Sequence, residues 1–365
     1  MRKLNLQVPQ NISSLVPYPP GKPIEELERE LGITGSIKLA SNENPLGPSK
    51  KAIEAASRAL AGLHRYPDGS CYYLKEKLSS MLGVSGEMIT FGNGSNEIIE
   101  LLIRAFLRPG DEAVMGEPSF AVYPIAIKAA GGAARPVPLK DMRHDLKAMA
   151  AAITSKTRLV FIANPNNPTG TMVSGAEFAE FMGKVPDGVI VCVDEAYYEF
   201  VRGGDFPDTL SYINEGRAVL MLRTFSKIYG LAGLRIGYGV AHPELIGFMD
   251  RVRQPFNVNT LAQVAAIAAL DDSEHLEKTR ENNARGLQHL MGELRGMGYE
   301  CVDTEANFFL VRVGDGKGVY ESLLRKGVIV RPMASYGMPE YIRITVGLPE
   351  ENRRFLGAFR EAVRR

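Results

Sequence analysis

Lys227 stands just past an apolar run, Ala218 to Leu222, that has the length and composition of a β-strand. It sits in Thr224-Phe225-Ser226-Lys227, with Gly230, Gly233 and Gly237 behind it and Arg235 eight residues on. A lysine in an apolar, glycine-bounded setting can serve as an amine nucleophile, because desolvation favours the neutral amine that attacks carbonyls. By base rate such a lysine is an exposed turn residue; three other groups lift it above that. Asp194 ends another apolar run, Val189 to Val193, where an unpaired buried carboxylate would be costly. Asn167 lies in Asn164-Pro165-Asn166-Asn167-Pro168-Thr169-Gly170, a proline-stiffened loop after the strand-like Arg158 to Ala163. Ser95 and Asn96 close the turn Gly92-Asn93-Gly94-Ser95-Asn96 before an amphipathic helix expected over Glu97 to Phe106, where free N–H groups make an anion site. Taken singly, each is equally a cap, a turn or a packed loop.

Together they describe one ligand. Pyridoxal 5′-phosphate needs an amine for a Schiff base, a carboxylate on its pyridinium nitrogen, a donor to its phenolic oxygen and an anion site for its phosphate. The carboxylate keeps the ring nitrogen protonated, so that the ring can absorb a carbanion's electrons. Lys227, once free again, would move protons at the substrate carbon.

The elements that must position these groups alternate along the chain. Strands are expected at Ile89–Phe91, Glu112–Met115, 135–138, Arg158–Ala163, Val189–Val193, 217–222 and 235–240, with helices between them, such as 121–130 and Gly175 to Met182. Continuously apolar strands separated by helices predict an α/β fold: a three-layer large domain with a mainly parallel sheet. Asn167, Asp194 and Lys227 all fall at C-terminal strand ends, where ligands bind in such sheets. Past Pro243 helical pattern dominates to about Leu294, broken near Pro255-Phe256-Asn257, and short strands then alternate with helices. This reads as a smaller α/β domain. The expected division is an arm over 1–40 that joins the small domain, a large domain over 41–250 and a small domain over 251–365, with the boundary on a long helix near 243–262.

Composition narrows the class. Lys+Arg is 43 against Asp+Glu 42, which gives no reason to invoke nucleic acid or a membrane surface. The three cysteines, Cys71, Cys192 and Cys301, are far apart and form no C-x-x-C pair, so a reducing cytoplasm is the expected home. The five histidines lack ligand spacing, and no metal is expected. The charged start, Met1-Arg2-Lys3, leads into no apolar segment of signal-peptide length, and no apolar run is long enough to span a bilayer.

With these motifs in order, the chain resembles the aminotransferase family of aspartate-aminotransferase-like fold, and within it the histidinol-phosphate aminotransferases. The matching segments are Ser41-Asn42-Glu43-Asn44-Pro45, Arg65-Tyr66-Pro67-Asp68, Gly92 to Glu97, Asn164 to Gly170, Asp194-Glu195-Ala196-Tyr197, Thr224 to Lys227 with Arg235, and Tyr341-Ile342-Arg343-Ile344-Thr345. The resemblance implies that Lys227 carries the Schiff base, that Asp194 pairs with the pyridinium nitrogen, and that Asn167 and Tyr197 bond the phenolic oxygen. Ser95, Asn96, Thr224, Ser226 and Arg235 would hold the cofactor phosphate. Phe120 would stack on the ring, a departure from the tyrosine of many relatives that keeps the stacking and loses a hydroxyl. Tyr66 would reach the neighbouring subunit's cofactor, which implies a homodimer with shared active sites. Arg343 would take the carboxylate of 2-oxoglutarate or glutamate and the phosphate of L-histidinol phosphate, with Arg331, Tyr18 and Asn42 as further substrate contacts. The same ring chemistry also serves an aromatic amino-acid aminotransferase or a decarboxylase resembling the threonine-phosphate enzyme.

Overall fold

The computed structural model describes residues 4–364, so the charged start at Met1, Arg2 and Lys3 lies outside the described residues. Seven strands form the large sheet: β1 (Ile89–Gly92), β2 (Glu112–Glu117), β3 (Ala133–Pro138), β4 (Thr157–Ala163), β5 (Ile190–Asp194), β6 (Val219–Thr224) and β7 (Gly237–Ala241). Their order is β1-β7-β6-β5-β4-β2-β3. Pairings among β2 to β6 are parallel, and β7 runs antiparallel to both its neighbours.

Both faces of this sheet are covered, which is why its strands read as unbroken apolar runs. On β4, Val160 and Ile162 join one core with Phe178 and Phe181 of the helix Gly175–Met182. Leu159, Phe161 and Ala163 join the opposite core, with Ile98 to Ile103 of the helix Ser95–Phe106 and Tyr123 and Ile127 of the helix Val122–Ala129. The two-residue period of a strand sorts neighbouring side chains to opposite faces. Helix starts are fixed by side chains: Ser49 accepts from the Ala52 N–H, and Ser174 and Glu177 form a reciprocal capping box.

Four short antiparallel strands, β8 (Glu300–Cys301), β9 (Phe308–Arg312), β10 (Arg331–Pro332) and β11 (Tyr341–Thr345), form a second sheet in the order β10-β11-β9-β8. Against it pack Leu287, Leu290, Met291 and Leu294 of the long helix Ser273–Gly296, a helical i, i+3, i+4, i+7 stripe, and Phe355 and Phe359 of the last helix, Pro349–Ala362.

Three expectations shift. The phosphate-side helix begins at Ser95, two residues early, because Gly94 already supplies the turn. Arg235 is not in a strand: it sits at φ +56°, in the left-handed region, and β7 starts at Gly237. The long helix expected near 243–262 is two, Pro243–Asp250 and Thr260–Leu270, parted across the break expected near Pro255-Phe256-Asn257. Ala262, Ala265, Ala266 and Ala269 of the second lie in the core of the large sheet, beyond the expected boundary at residue 250. Small alanines there let this helix pack closely on Lys50–Ala59, and its Asn259 cap fixes where it restarts. The N-terminal segment reaches both halves of the chain: Ile37–Lys38 pairs in parallel with Val328–Ile329, while Asn11 Nδ2 donates to Ala129 O at 2.8 Å.

Candidate active site

Between the sheets lies a cavity of about 190 Å³, lined by the C-terminal ends of β4, β5 and β6, the start of the helix Ser95–Phe106, N-terminal residues from Tyr18 to Asn42 and strands of the second sheet. Every residue expected at the site from sequence lines it except Tyr66.

Lys227 is half-buried and its Nζ donates to the carbonyl of Ser41 at 3.2 Å. Burial, then the nearby Arg343 guanidinium, lowers its pKa to about 8. About a tenth of the side chain is therefore free amine near neutral pH, far more than for an ordinary lysine. Asp194 ends β5 and is buried; burial raises its pKa, and hydrogen bonds to its charged form work against that. The donors are the Tyr123 hydroxyl, 2.8 Å from Oδ2, and the Ala196 N–H, 3.2 Å from Oδ1.

Tyr197 is buried with its ring edge-on to Phe308. Its hydroxyl oxygen accepts from Asn42 Nδ2 at 2.9 Å, which leaves its own O–H to donate into the cavity. Asn42 is held in turn by Thr345: its N–H and its Oδ1 each meet Thr345 Oγ1 at 3.0 Å. The left-handed backbone of Asn42, φ +56°, is one that asparagine tolerates better than most residues.

At the other end of the cavity the helix Ser95–Phe106 starts without a side-chain cap, so its first N–H groups are free. Gly94 has φ +83°, and a Cβ there would sit 2.3 Å from Arg235 Nη2. Exposed Arg235 thus lies against the bare backbone of this turn, and its Nη2 donates to Asn93 O at 3.4 Å. Thr224 and Ser226 add hydroxyls from the end of β6, and Asn96 Oδ1 is buried without a partner. Hydroxyls, free N–H groups and a guanidinium around a backbone hollow that a Cβ would fill make a phosphate-sized anion cradle. With an amine and a carboxylate deeper in the same cavity, the donor set fits a phosphorylated pyridine aldehyde.

Two further cations face the cavity from the second sheet. Arg331 and Arg343 are directly opposite one another on β10 and β11, and both are buried. Like charges in that register repel. Arg331 donates to Pro19 O at 2.9 Å and lies 5.6 Å from the Tyr18 ring centre. Arg343 donates to Asn167 Oδ1 at 2.5 Å and to Ala40 O at 2.8 Å, and its Nε is buried without a partner. These neighbours are neutral acceptors, so the pair retains positive charge aimed at the cavity. Phe120 lines the same wall and meets Tyr123 edge-on.

Tyr66 is elsewhere. It is 83% exposed and stacks on Phe256, with centroids 4.9 Å apart. Tyr123 is the contact the sequence reading passed over: it sits in an ordinary apolar helix pattern, and only a buried hydroxyl's need for an acceptor marks it. The facing of Arg331 and Arg343 was hidden as well, since it depends on strand register.

Comparison with known proteins agrees with this geometry. Residues 34–359 match the family model for aminotransferase class I and II. The chain is 52% identical to the histidinol-phosphate aminotransferase of Moorella thermoacetica over 96% of this chain and 92% of that one. The crystal structure of histidinol-phosphate aminotransferase from Sinorhizobium meliloti in complex with pyridoxal-5′-phosphate superposes with a TM-score of 0.90 at 28% identity, covering 98% of each chain. A Thermus thermophilus aspartate aminotransferase variant superposes with a TM-score of 0.83 at 25% identity, over 99% of this chain and 100% of that one. The chain belongs to the class I and II aminotransferase family, among its histidinol-phosphate aminotransferases.

Proposed function

We propose that this chain exchanges an amino group between L-histidinol phosphate and 2-oxoglutarate, giving imidazole-acetol phosphate and L-glutamate, with pyridoxal 5′-phosphate as cofactor. The observation that supports this substrate is the buried cross-strand pair Arg331 and Arg343, whose charge no carboxylate among the described residues meets, facing the cavity that holds Lys227 and Asp194. A dianionic phosphate answers two convergent guanidinium groups, and the carboxylate of the second substrate can use the same place in turn.

When bound, the cofactor supplies an electron sink and carries the amino group between the two half-reactions. Lys227 anchors it and, as a free amine, takes and returns the proton at the substrate's reacting carbon. Asp194, as a carboxylate, would accept from the ring N–H and keep that nitrogen protonated. Tyr197 and Asn167 donate to the phenolic oxygen: Tyr197 through the O–H that Asn42 leaves free, Asn167 through the amide left over when Arg343 takes its Oδ1. Ser95, Asn96, Thr224, Ser226 and Arg235 bind the cofactor phosphate, and Phe120 covers the ring. Tyr18, beside Arg331 in the cavity lining, is a further substrate contact.

We further read the active unit as a homodimer in which Tyr66 serves the neighbouring subunit's site. The setting is the cytoplasm, where three buried free thiols stay reduced. Among the described residues no helix is long and apolar enough to cross a membrane.

The test is a titration of the reconstituted protein with donors, followed by the loss of the bound cofactor's visible absorbance and by glutamate formed when 2-oxoglutarate is added. Histidinol phosphate is expected to act at far lower concentration than phenylalanine or histidine. A preference for phenylalanine would replace the assigned substrate with an aromatic amino acid, and carbon dioxide released from threonine phosphate would replace transfer with decarboxylation.

A further inference from the structure

Behind the Asp194 carboxylate lies a second phenol. Tyr123, in the first turn of the helix Val122–Ala129, has no exposed surface. Its ring stacks on Phe161 of β4, with centroids 4.8 Å apart and planes 18° apart, and meets Phe120 edge-on at 5.6 Å. Its O–H donates to Asp194 Oδ2 at 2.8 Å. Phenylalanine would fill this apolar slot with the same outline less one oxygen, so packing alone does not call for the hydroxyl. Its acceptor is the carboxylate that faces the cofactor, and its ring abuts the side chain that covers the cofactor. One residue thus buttresses both.

We propose that Tyr123 is a positioning residue for the reaction: by donating to Asp194 Oδ2, it sets which side of the contact between Asp194 and the cofactor's ring nitrogen holds the shared proton. The proposal rests on the cofactor reading above. A carboxylate that receives a hydrogen bond from the protein side is a weaker base, so the proton rests on nitrogen. Burial presses the other way, toward a neutral carboxyl. A protonated ring is the better electron sink, so the hydroxyl acts on the chemical step and leaves substrate binding alone.

The experiment is Tyr123→Phe, with the apoprotein reconstituted using pyridoxal phosphate isotope-labelled at the ring nitrogen. Nitrogen NMR then reads protonation of that atom without turnover. In the wild type the resonance is expected at the pyridinium position, and in Tyr123→Phe it moves toward that of free pyridine. In parallel, kcat falls about tenfold or more while KM changes less than about twofold. In an Asp194→Asn background the same substitution has no further effect on either readout. A Tyr123→Phe protein that binds the cofactor, keeps the pyridinium resonance and retains kcat overturns the proposal. Should that variant not fold, a fluorinated tyrosine at 123 carries the test, being a more acidic hydroxyl of nearly the same shape. It must hold the nitrogen protonated to higher pH than tyrosine does, and an unchanged titration overturns the proposal. Wild-type protein that takes up no cofactor overturns the underlying reading, and this proposal with it.

Discussion

The chemistry of single residues here is set by what surrounds them. Lys227 is an ordinary lysine whose pKa burial and then Arg343 bring down to about 8. Below that value the ammonium dominates and cannot attack an aldehyde; above it the amine does. The rate at which apoprotein takes up pyridoxal phosphate should therefore climb as pH rises through about 8 and level off beyond it, in stopped-flow absorbance. A rate flat across that window would remove the amine from the rate-determining step. Arg343 makes a complementary case. Loss of its charge-assisted hydrogen bonds at about 1.5–3 kcal/mol predicts a fall in kcat/KM for histidinol phosphate of about 10- to 150-fold in Arg343→Ala. Arg343→Lys should recover only part, since an ammonium cannot span two acceptors as a planar guanidinium does. That Lys227, Asp194 and Asn167 would meet in one cavity was legible in the sequence, because each falls at the C-terminal end of a strand of one sheet. The pairing of Arg343 with Arg331 was not, because two residues twelve apart oppose each other only through the register of β10 on β11.

Elements hold these residues by their ends. The helix Ser95–Phe106 offers uncapped N–H groups only because Gly94 turns the chain at φ +83° with Arg235 lying against it. An alanine there meets both a strained backbone and a guanidinium, and neither can yield without spoiling the cradle. Gly94→Ala should bind pyridoxal phosphate at least about tenfold more weakly, as measured by cofactor retained on dialysis, with the far-UV circular dichroism of the wild type. Retention equal to the wild type would count against the cradle. The turn after β5 carries a second consequence. Glu199 is buried and its Oε2 has no partner; burial pushes its pKa up to about 7 from 4.5. The folded chain then keeps a proton that the unfolded chain releases, so this contribution to stability is present below about pH 4.5 and lost as pH rises through about 7. Glu199→Gln is expected to raise the melting temperature at about pH 8 and to leave it nearly unchanged at about pH 5, where the carboxyl is largely protonated in the folded chain. Equal shifts at both would point to packing instead. The strands were readable from apolar runs because both sheet faces are covered. The break between Asp250 and Thr260 was readable only in part, since an alanine-rich helix carries little periodic signal to say which core it joins.

At the scale of the whole molecule, the cavity assembles from parts far apart in sequence: the arm at Tyr18, the large sheet at Asp194 and Lys227, the small sheet at Arg331 and Arg343. Tyr66 stays outside it, exposed and stacked on Phe256, whose backbone is itself left-handed at φ +58°. An exposed, stacked pair of aromatics of this kind is a ready contact for another surface. A second copy of the chain is the cover we propose, with Tyr66 completing that copy's site. Subunit mixing separates this from a role within one chain. Lys227→Ala and Tyr66→Ala proteins should each be weakly active alone. After joint unfolding and refolding in equal amounts, half of the dimers are mixed, and each mixed dimer holds one site with Lys227 from one subunit and Tyr66 from the other. Activity should return to about one quarter of the wild-type value. If Tyr66 acts within its own chain, or on the surface alone, no mixed dimer gains a complete site, and the mixture will be no more active than the average of its two parents.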